Sequence, residues 1–288
     1  SRMPRVKAGV AELEYDEFGD AADPALVLVT GLGSQLIDWP EEFCRQLAGE
    51  GFRVIRYDNR DSGLSTSLDH LPVPDLGAVL SGTQSPPYTL SDLAGDTIGL
   101  LDALGIDRAH VVGASMGGMI VQTLAIEHPD RLRSVTSIMS TTGDPAVGQS
   151  RPEAAATLTT PAPPERADAI EYLVTLLRLI GSAEMTDDDL RARATAGYDR
   201  ARQPAGMARQ LAAVVGGSDR TAALRGVNLP TLVVHGEADP LLDVSGGRAT
   251  AAAVPGAELV TVPGMGHDLP PSAWPTIVSA IARTAARS

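Results

Sequence analysis

Only one cysteine, Cys44, stands in the 288 residues, so no disulfide can close within the chain and a reducing compartment, the cytoplasm, is the simpler expectation. Cations are also scarce: 23 Lys and Arg face 36 Asp and Glu, a formal net charge of -13. Phosphate backbones and anionic lipid surfaces need clustered cations, so nucleic acid and membrane surfaces are disfavoured as partners. The start of the chain has no apolar run of signal-peptide length, and Ser1-Arg2 ahead of Met3 reads as a cloning remnant. The longest stretch free of Asp, Glu, Lys and Arg, Ala109 to Ile126, carries His110, Ser115, Gln122 and three glycines. It reads as strand, turn and buried helix rather than a membrane span. No His/Cys/Asp cluster has ligand spacing, which argues against a metal centre. Aromatic residues are few at 3%, yet 43% hydrophobic and 20% charged residues are the composition of a folded, enzyme-sized globular protein.

What is present is a rhythm. Val10 to Phe18 alternates like a half-exposed strand, Ala25 to Val29 is a short apolar run suited to a buried one, and Gln35 to Glu50 has helical spacing that stops at Gly51. Phe52 to Tyr57 is the next strand, followed by a proline-rich loop from His70 to Tyr88 with room for one helical turn. A helix from Leu90 to Leu104, with Thr89 or Ser91 as its cap, precedes strand His110 to Val112, helix Met116 to Glu127 and strand Leu132 to Met139. Alternation of this kind implies a mostly parallel sheet with helices on both faces. From Thr141 to about Val227 it breaks: prolines are followed by helical patterns at Ala167 to Ile180, Thr186 to Tyr198 and Ala205 to Val215, with no obvious strand. Strand Pro230 to His235, helix Ser245 to Ala253, strand Glu258 to Val262 and helix Ser272 to Ala285 then close the chain. The expected organisation is an α/β core from 1–140 and 228–288, with 141–227 inserted between sheet strands as a helical cap.

Gly113-Ala114-Ser115-Met116-Gly117 matches G-x-S-x-G and falls directly between a buried strand and a helix, the context in which that pattern has mechanical meaning. Glycine is needed on both sides because the turn is tight, and the helix behind Ser115 aims its positive end at any developing oxyanion. A serine hydroxyl needs a base, and the base needs a third group to fix its tautomer. His70, His110, His128 and His235 each have a structural reading in a loop, at a helix end or in a strand. His267 sits in Pro263-Gly264-Met265-Gly266-His267, a mobile-looking loop after the last strand, as the order Ser, Asp, His requires. The acid expected is Asp239, just past a strand in His235-Gly236-Glu237-Ala238-Asp239-Pro240, ahead of Glu237 and Asp144. Two N–H donors are expected for the oxyanion: Met116, after the nucleophile, and Leu32, in Thr30-Gly31-Leu32-Gly33. The alternative for the serine turn is a Gly-rich packing corner with Ser115 as filler.

Together these residues resemble the α/β-hydrolase superfamily, and within it the aclacinomycin methylesterase-like group of small esterases. The segments that carry the resemblance are the serine turn, the Asp239 and His267 loops, and Tyr57-Asp58-Asn59-Arg60-Asp61-Ser62-Gly63-Leu64-Ser65. It implies hydrolysis of small-molecule carboxylic esters through an acyl-enzyme, on small to medium, largely apolar esters with methyl esters among them, no cofactor, and a helical cap shaping the pocket. Thr30-Gly31 stands where many relatives have His-Gly, which removes a side chain that often buttresses the loop. Serine at position 115 argues against dehalogenases and epoxide hydrolases, which use aspartate there. Lactonase, carbon–carbon hydrolase, acyltransferase and cofactor-free perhydrolase chemistries share the same triad. A slow-turnover, receptor-like ligand binder is the reading from another class. Leu173, Leu177 and Met207 could line an apolar pocket, although their spacing also suits packing between helices.

Overall fold

The computed structural model describes residues 3–288; Ser1 and Arg2 lie outside the described residues. An eight-stranded sheet runs in the order β1-β2-β4-β3-β5-β6-β7-β8. The strands are β1 (Arg5–Ala8), β2 (Ala11–Phe18), β3 (Ala25–Val29), β4 (Arg53–Tyr57), β5 (Ala109–Ala114), β6 (Leu132–Ile138), β7 (Thr231–Gly236) and β8 (Glu258–Val262). β1 pairs antiparallel with β2, and β2 with β4; every other pairing is parallel. The β1–β2 hairpin differs from expectation, since the sequence showed only one strand there. β1 is four residues long, Arg5 and Lys7 alternating with Val6 and Ala8, too short for its period to register.

The helices are α1 (Glu41–Gly49), α2 (Leu76–Leu80), α3 (Leu90–Ala103), α4 (Met116–Glu127), α5 (Pro152–Ala156), α6 (Arg166–Ile180), α7 (Asp187–Arg200), α8 (Pro204–Val215), α9 (Thr221–Leu224), α10 (Val244–Ala253) and α11 (Trp274–Ala286). Thr89 caps α3, accepting a hydrogen bond from the Asp92 N–H while the Asp92 carboxylate reaches back to the Thr89 N–H. Pro40 splits the helix expected from Gln35 to Glu50 into a 3-10 turn, Leu36–Asp38, and α1, because a proline supplies no backbone N–H to continue the ladder.

Successive residues of the central strands feed two cores. Val27 and Val29 face the layer of α3, α4 and α10, whereas Leu26 and Leu28 face α1 and α11. Between β6 and β7 the described residues contain helices only. Leu173 and Leu177 pack with Ile170, Val174 and Leu190 in a small core between α6 and α7. α9 packs instead on α4 and α10, with the sheet layers.

The insertion is seated on the core by charge. Asp61, fully buried, accepts two hydrogen bonds from Arg209 of α8 at 3.0 Å each, one from Tyr88 Oη at 2.7 Å and one from the Leu68 N–H at 2.7 Å. Arg200 of α7 reaches buried Asp58 and Glu14 at 2.8 and 3.0 Å. Gly206 permits this approach, for a Cβ there would stand 2.2 Å from the Asp61 carbonyl oxygen.

Removing one partner of a buried ion pair strands the other charge, at a cost of about 3–5 kcal/mol. Arg209→Ala should therefore lower unfolding free energy in urea by about 3 kcal/mol, whereas Arg166→Ala, which breaks an exposed, solvent-screened pair with Asp199, should leave it nearly unchanged. Equal small losses would mean that Arg209 does not anchor the insertion.

Candidate active site

β5 delivers the serine turn to the carboxyl edge of the sheet. Ser115 has φ 58° and ψ -118°, a left-handed conformation that costs a residue with a side chain roughly 1–3 kcal/mol. The turn persists because its surroundings leave no alternative. The Ser115 N–H donates to Ile138 O at 2.9 Å, and its carbonyl accepts from Ser140 Oγ at 2.8 Å and from the N–H groups of Gly118 and Met119. A Cβ on Gly113 would fall 2.0 Å from Gly117 O, and one on Gly117 would fall 2.1 Å from Val29 O. Both glycines of the motif are thus fixed by backbone approaching backbone, not by general flexibility.

The three side chains singled out in the sequence converge. His267 Nε2 stands 3.0 Å from Ser115 Oγ, and its Nδ1 stands 2.8 Å from Asp239 Oδ2. A carboxylate only accepts, so the imidazole proton lies on Nδ1 and leaves Nε2 free to accept from the serine hydroxyl. Asp239 Oδ1 accepts from the N–H groups of Leu241 and Leu242, each at 2.9 Å. Burial alone would raise the Asp239 pKa, but the facing His267, the hydrogen bond from His235 and those backbone donors outweigh it and hold the carboxyl at about 2. Glu237 and Asp144 lie elsewhere: Glu237 accepts from Thr261 Oγ1 at the surface, and Asp144 closes its own turn at the Ala146 N–H.

Gly31 brings the loop after β3 against the serine turn, since a Cβ on it would stand 3.2 Å from Ser115 Cβ and 3.8 Å from Met116 N. The Leu32 N–H next to it has no protein acceptor among the described residues. Met116 is the first residue of α4, where helical N–H groups have no partner within the helix. The arrangement leaves two N–H donors flanking a half-buried hydroxyl, beside an imidazole that a buried carboxylate holds.

Several residues at the site carried no signal in the sequence. His235, expected only to pack within β7, has no solvent exposure and places Nε2 2.7 Å from Leu242 O and 3.4 Å from Asp239 Oδ2. Ser182, just beyond α6, accepts from the Gly266 N–H at 2.9 Å, and Ile180 O accepts from the His267 N–H at 2.7 Å, so the insertion grips the histidine loop. On the opposite side, Asn59 Nδ2 bonds Thr30 O and Thr30 Oγ1, both at 3.2 Å, and buried Gln210 of α8 reaches the Gly33 N–H at 2.9 Å. These contacts span large sequence separations, which no local pattern encodes. His110, read as structural, hydrogen-bonds Ser134 Oγ at 2.7 Å inside the core; burial first, then Arg133 and Arg108, lower its pKa to about 4.

A cavity of about 500 Å³ lies between α6, α7 and the core, with His267, Leu177, Ile180, Met185, Leu269 and Trp274 on its wall; Ser115 does not line it. Met207 instead lies against Gly33, with Sδ 3.0 Å from where a Cβ would stand. Among the described residues no cluster of three His, Cys, Asp or Glu side chains is placed to hold a metal, and no helix is long and apolar enough to cross a membrane.

A family model described as alpha/beta hydrolase fold matches residues 24–168, and one described as TAP-like protein matches residues 212–283. Rhodomycin D methylesterase DauP of Streptomyces sp. (strain C5) is 29% identical, the alignment covering 92% of this chain and 91% of that protein. Rhodomycin D methylesterase DnrP of Streptomyces peucetius is 28% identical over the same shares, 92% and 91%. Among solved structures, the enol-lactonase from Burkholderia xenovorans LB400 superposes with a TM-score of 0.75 at 24% identity, covering 98% of this chain and 99% of its own. At that identity the likeness speaks for the fold alone. The methylesterase relatives are of the group that the sequence motifs resemble.

Because the folded Asp239 carboxyl titrates below its usual value of 3.8, the stability it contributes is present above about pH 4 and is lost as pH falls towards 2. The unfolding free energies of the parent and Asp239→Asn should thus converge by about 2 kcal/mol between pH 5 and pH 2 in urea titrations. Curves that run parallel over that range would mean the imidazole does not hold the carboxylate.

Proposed function

The chain belongs to the α/β-hydrolase family, and from that premise we propose that it is a serine carboxylic-ester hydrolase working through an acyl-enzyme. The observation that carries the reading is the unbroken chain from Asp239 through His267 to Ser115 Oγ, at 2.8 and 3.0 Å, on a strained strand-to-helix turn. A packing corner would need neither the base nor the strain.

In the first half-reaction His267 Nε2 takes the Ser115 proton as Oγ attacks the ester carbonyl carbon. Negative charge develops on the carbonyl oxygen and is met by the N–H groups of Leu32 and Met116 and by the N-terminal end of α4, a contribution of about 3–4 kcal/mol per well-placed donor. Asp239, ionised at working pH, stabilises the imidazolium and keeps its proton on Nδ1. His267 then passes the serine proton to the departing alkoxide, leaving an ester on Ser115. Water enters, gives a proton to His267 Nε2 and attacks the acyl carbon; collapse returns the serine hydroxyl and releases the acid.

Small to medium, largely apolar esters are the substrates proposed, methyl esters among them. Two relatives matched across nine-tenths of the chain are rhodomycin D methylesterases, and the cavity beside His267 carries Leu177, Ile180, Met185 and Leu269 together with charged residues such as Arg56 and Asp189. Residues 141–227 are read as the cap that shapes the pocket, with α9 at its inner edge belonging to the core layer. Buried, unpaired Cys44 suits a reducing, cytoplasmic setting.

Incubation with a fluorophosphonate should add one adduct mass to the parent and none to Ser115→Ala. Turnover of short p-nitrophenyl esters should fall by at least about 10⁴-fold in that variant. A parent that neither labels nor turns over any ester, methyl ester or lactone offered would sink the proposal.

A further inference from the structure

Every hydrogen-bonding valence that Gln210 commits is spent on the floor of the site. It lies on α8, has no solvent exposure, accepts from the Gly33 N–H at 2.9 Å through Oε1, and donates from Nε2 to Arg60 O and to Ser62 Oγ, both at 2.8 Å. A side-chain amide offers two N–H groups and one carbonyl, so both donors and the acceptor are engaged without water.

What it grips is a turn. Ser34 N donates to Gly31 O at 3.2 Å, closing residues 31–34, and Gly33 has φ +65°, the positive value that a type II turn demands at its third position. In such a turn the middle peptide, between Leu32 and Gly33, can flip. Gln210 Oε1 accepts from the N–H of that peptide, and a flipped peptide would instead present the Leu32 carbonyl oxygen to Oε1, lone pair against lone pair. The next peptide back carries the Leu32 N–H. Asn59 fixes the peptide before that one, at Thr30 O, and Gln210 fixes the peptide after it, at the Gly33 N–H.

The geometry points to Gln210 as a positioning residue that holds the turn 31–34 in its donor conformation, making the seating of the cap and the completion of the oxyanion site a single event. This rests on the reading of Leu32 and Met116 as oxyanion donors. The cap thereby supplies a buttress to the loop from outside it, through Gln210 at Gly33.

The experiment compares the parent with Gln210→Met, Gln210→Glu and Gln203→Ala. Gln203 ties the start of the same helix to Gly63 O at 2.8 Å and Ser65 O at 3.3 Å but does not touch the turn. Loosening one oxyanion donor should lower kcat for a p-nitrophenyl ester in Gln210→Met by about 10- to 100-fold, with KM within about 3-fold. Affinity for phenylboronic acid, whose tetrahedral serine adduct presents an oxygen to the same donors, should fall in parallel. Gln210→Glu keeps the acceptor but sets an oxygen in place of Nε2 against the Arg60 carbonyl oxygen, so it should restore no more than part of either loss, and Gln203→Ala should leave both within about 2-fold of the parent. Unchanged kcat in Gln210→Met, or an equal loss in Gln203→Ala, would overturn the assignment. Hydrogen exchange over residues 30–39 reads the turn without any substrate: exchange should quicken in Gln210→Met and not in Gln203→Ala. If the parent hydrolyses no ester, the catalytic reading falls, and exchange that is the same in both variants then rejects the hold on the turn as well.

Discussion

Two buried aspartates on the loop after β4 are the constraint on which the rest depends. Asp58 has no exposed side-chain surface; its Oδ1 accepts from the Leu36 N–H at 2.7 Å and its Oδ2 from the Leu64 N–H at 2.9 Å, and Arg200 neutralises it. Asp61 is neutralised by Arg209. A buried carboxylate is tolerable only when paired and hydrogen-bonded, so each fixes several backbone segments at once. The loop that follows β3, the loop's own return at Gly63 and two helices of the insertion meet at these groups. Gly63 itself is dictated by them, since a Cβ there would overlap Asp58 Oδ2 at 2.2 Å. The segment from Tyr57 to Ser65 thus functions as a joint, which is the physical content of its family resemblance.

The strain at Ser115 can be read against that rigidity. A non-glycine residue in a left-handed conformation survives where neighbours over-determine it. Here the neighbours are the backbone of α4, which closes on Gly113, the end of β3, which closes on Gly117, and the Ile138 carbonyl of β6, which accepts from the Ser115 N–H. The hydroxyl is held proud of the sheet, while the charge it will create is met by dipoles already in place. Little reorganisation is required at the moment of reaction, and electrostatic catalysis depends on that economy of motion.

Much of this was legible from the chain alone where the information is local. Met116–Glu127, Ala25–Val29 and Glu258–Val262 coincide with the stretches expected, because apolar runs and glycine punctuation mark them strongly. Ser115, Asp239 and His267 were nominated by turn chemistry at strand ends, and they converge. Pro40 splitting a helix was readable in principle, since a proline within a helical pattern is a stop. β1 was not, being too short for its alternation to register. Gln210, Ser182 and His235 were invisible for a different reason: their roles are set by partners in other segments, and a buried glutamine on an amphipathic helix looks like any polar residue on its solvent face. Of the apolar candidates in the insertion, Leu173 and Leu177 belong to the core between α6 and α7, and Met207 alone meets the turn at Gly33.

The insertion touches the loops that carry His267 and Leu32 at two places: beyond α6, where Ile180 and Ser182 hold the histidine loop, and on α8, where Gln210 holds the turn after β3. The segment from Thr157 to Glu165, ahead of α6, carries no hydrogen bond to the core among the described residues and is largely open to solvent, whereas α7 carries Arg200, the partner of Asp58. Substitutions or insertions in that exposed stretch can be accommodated without disturbing either grip or the Asp58–Arg200 pair. Changes at the two grips cannot. In the proposed cap, that exposed segment is thus the span free to vary while α7, α8 and the stretch beyond α6 stay fixed, a division of labour that would let a lineage explore new substrates while inheriting its chemistry intact.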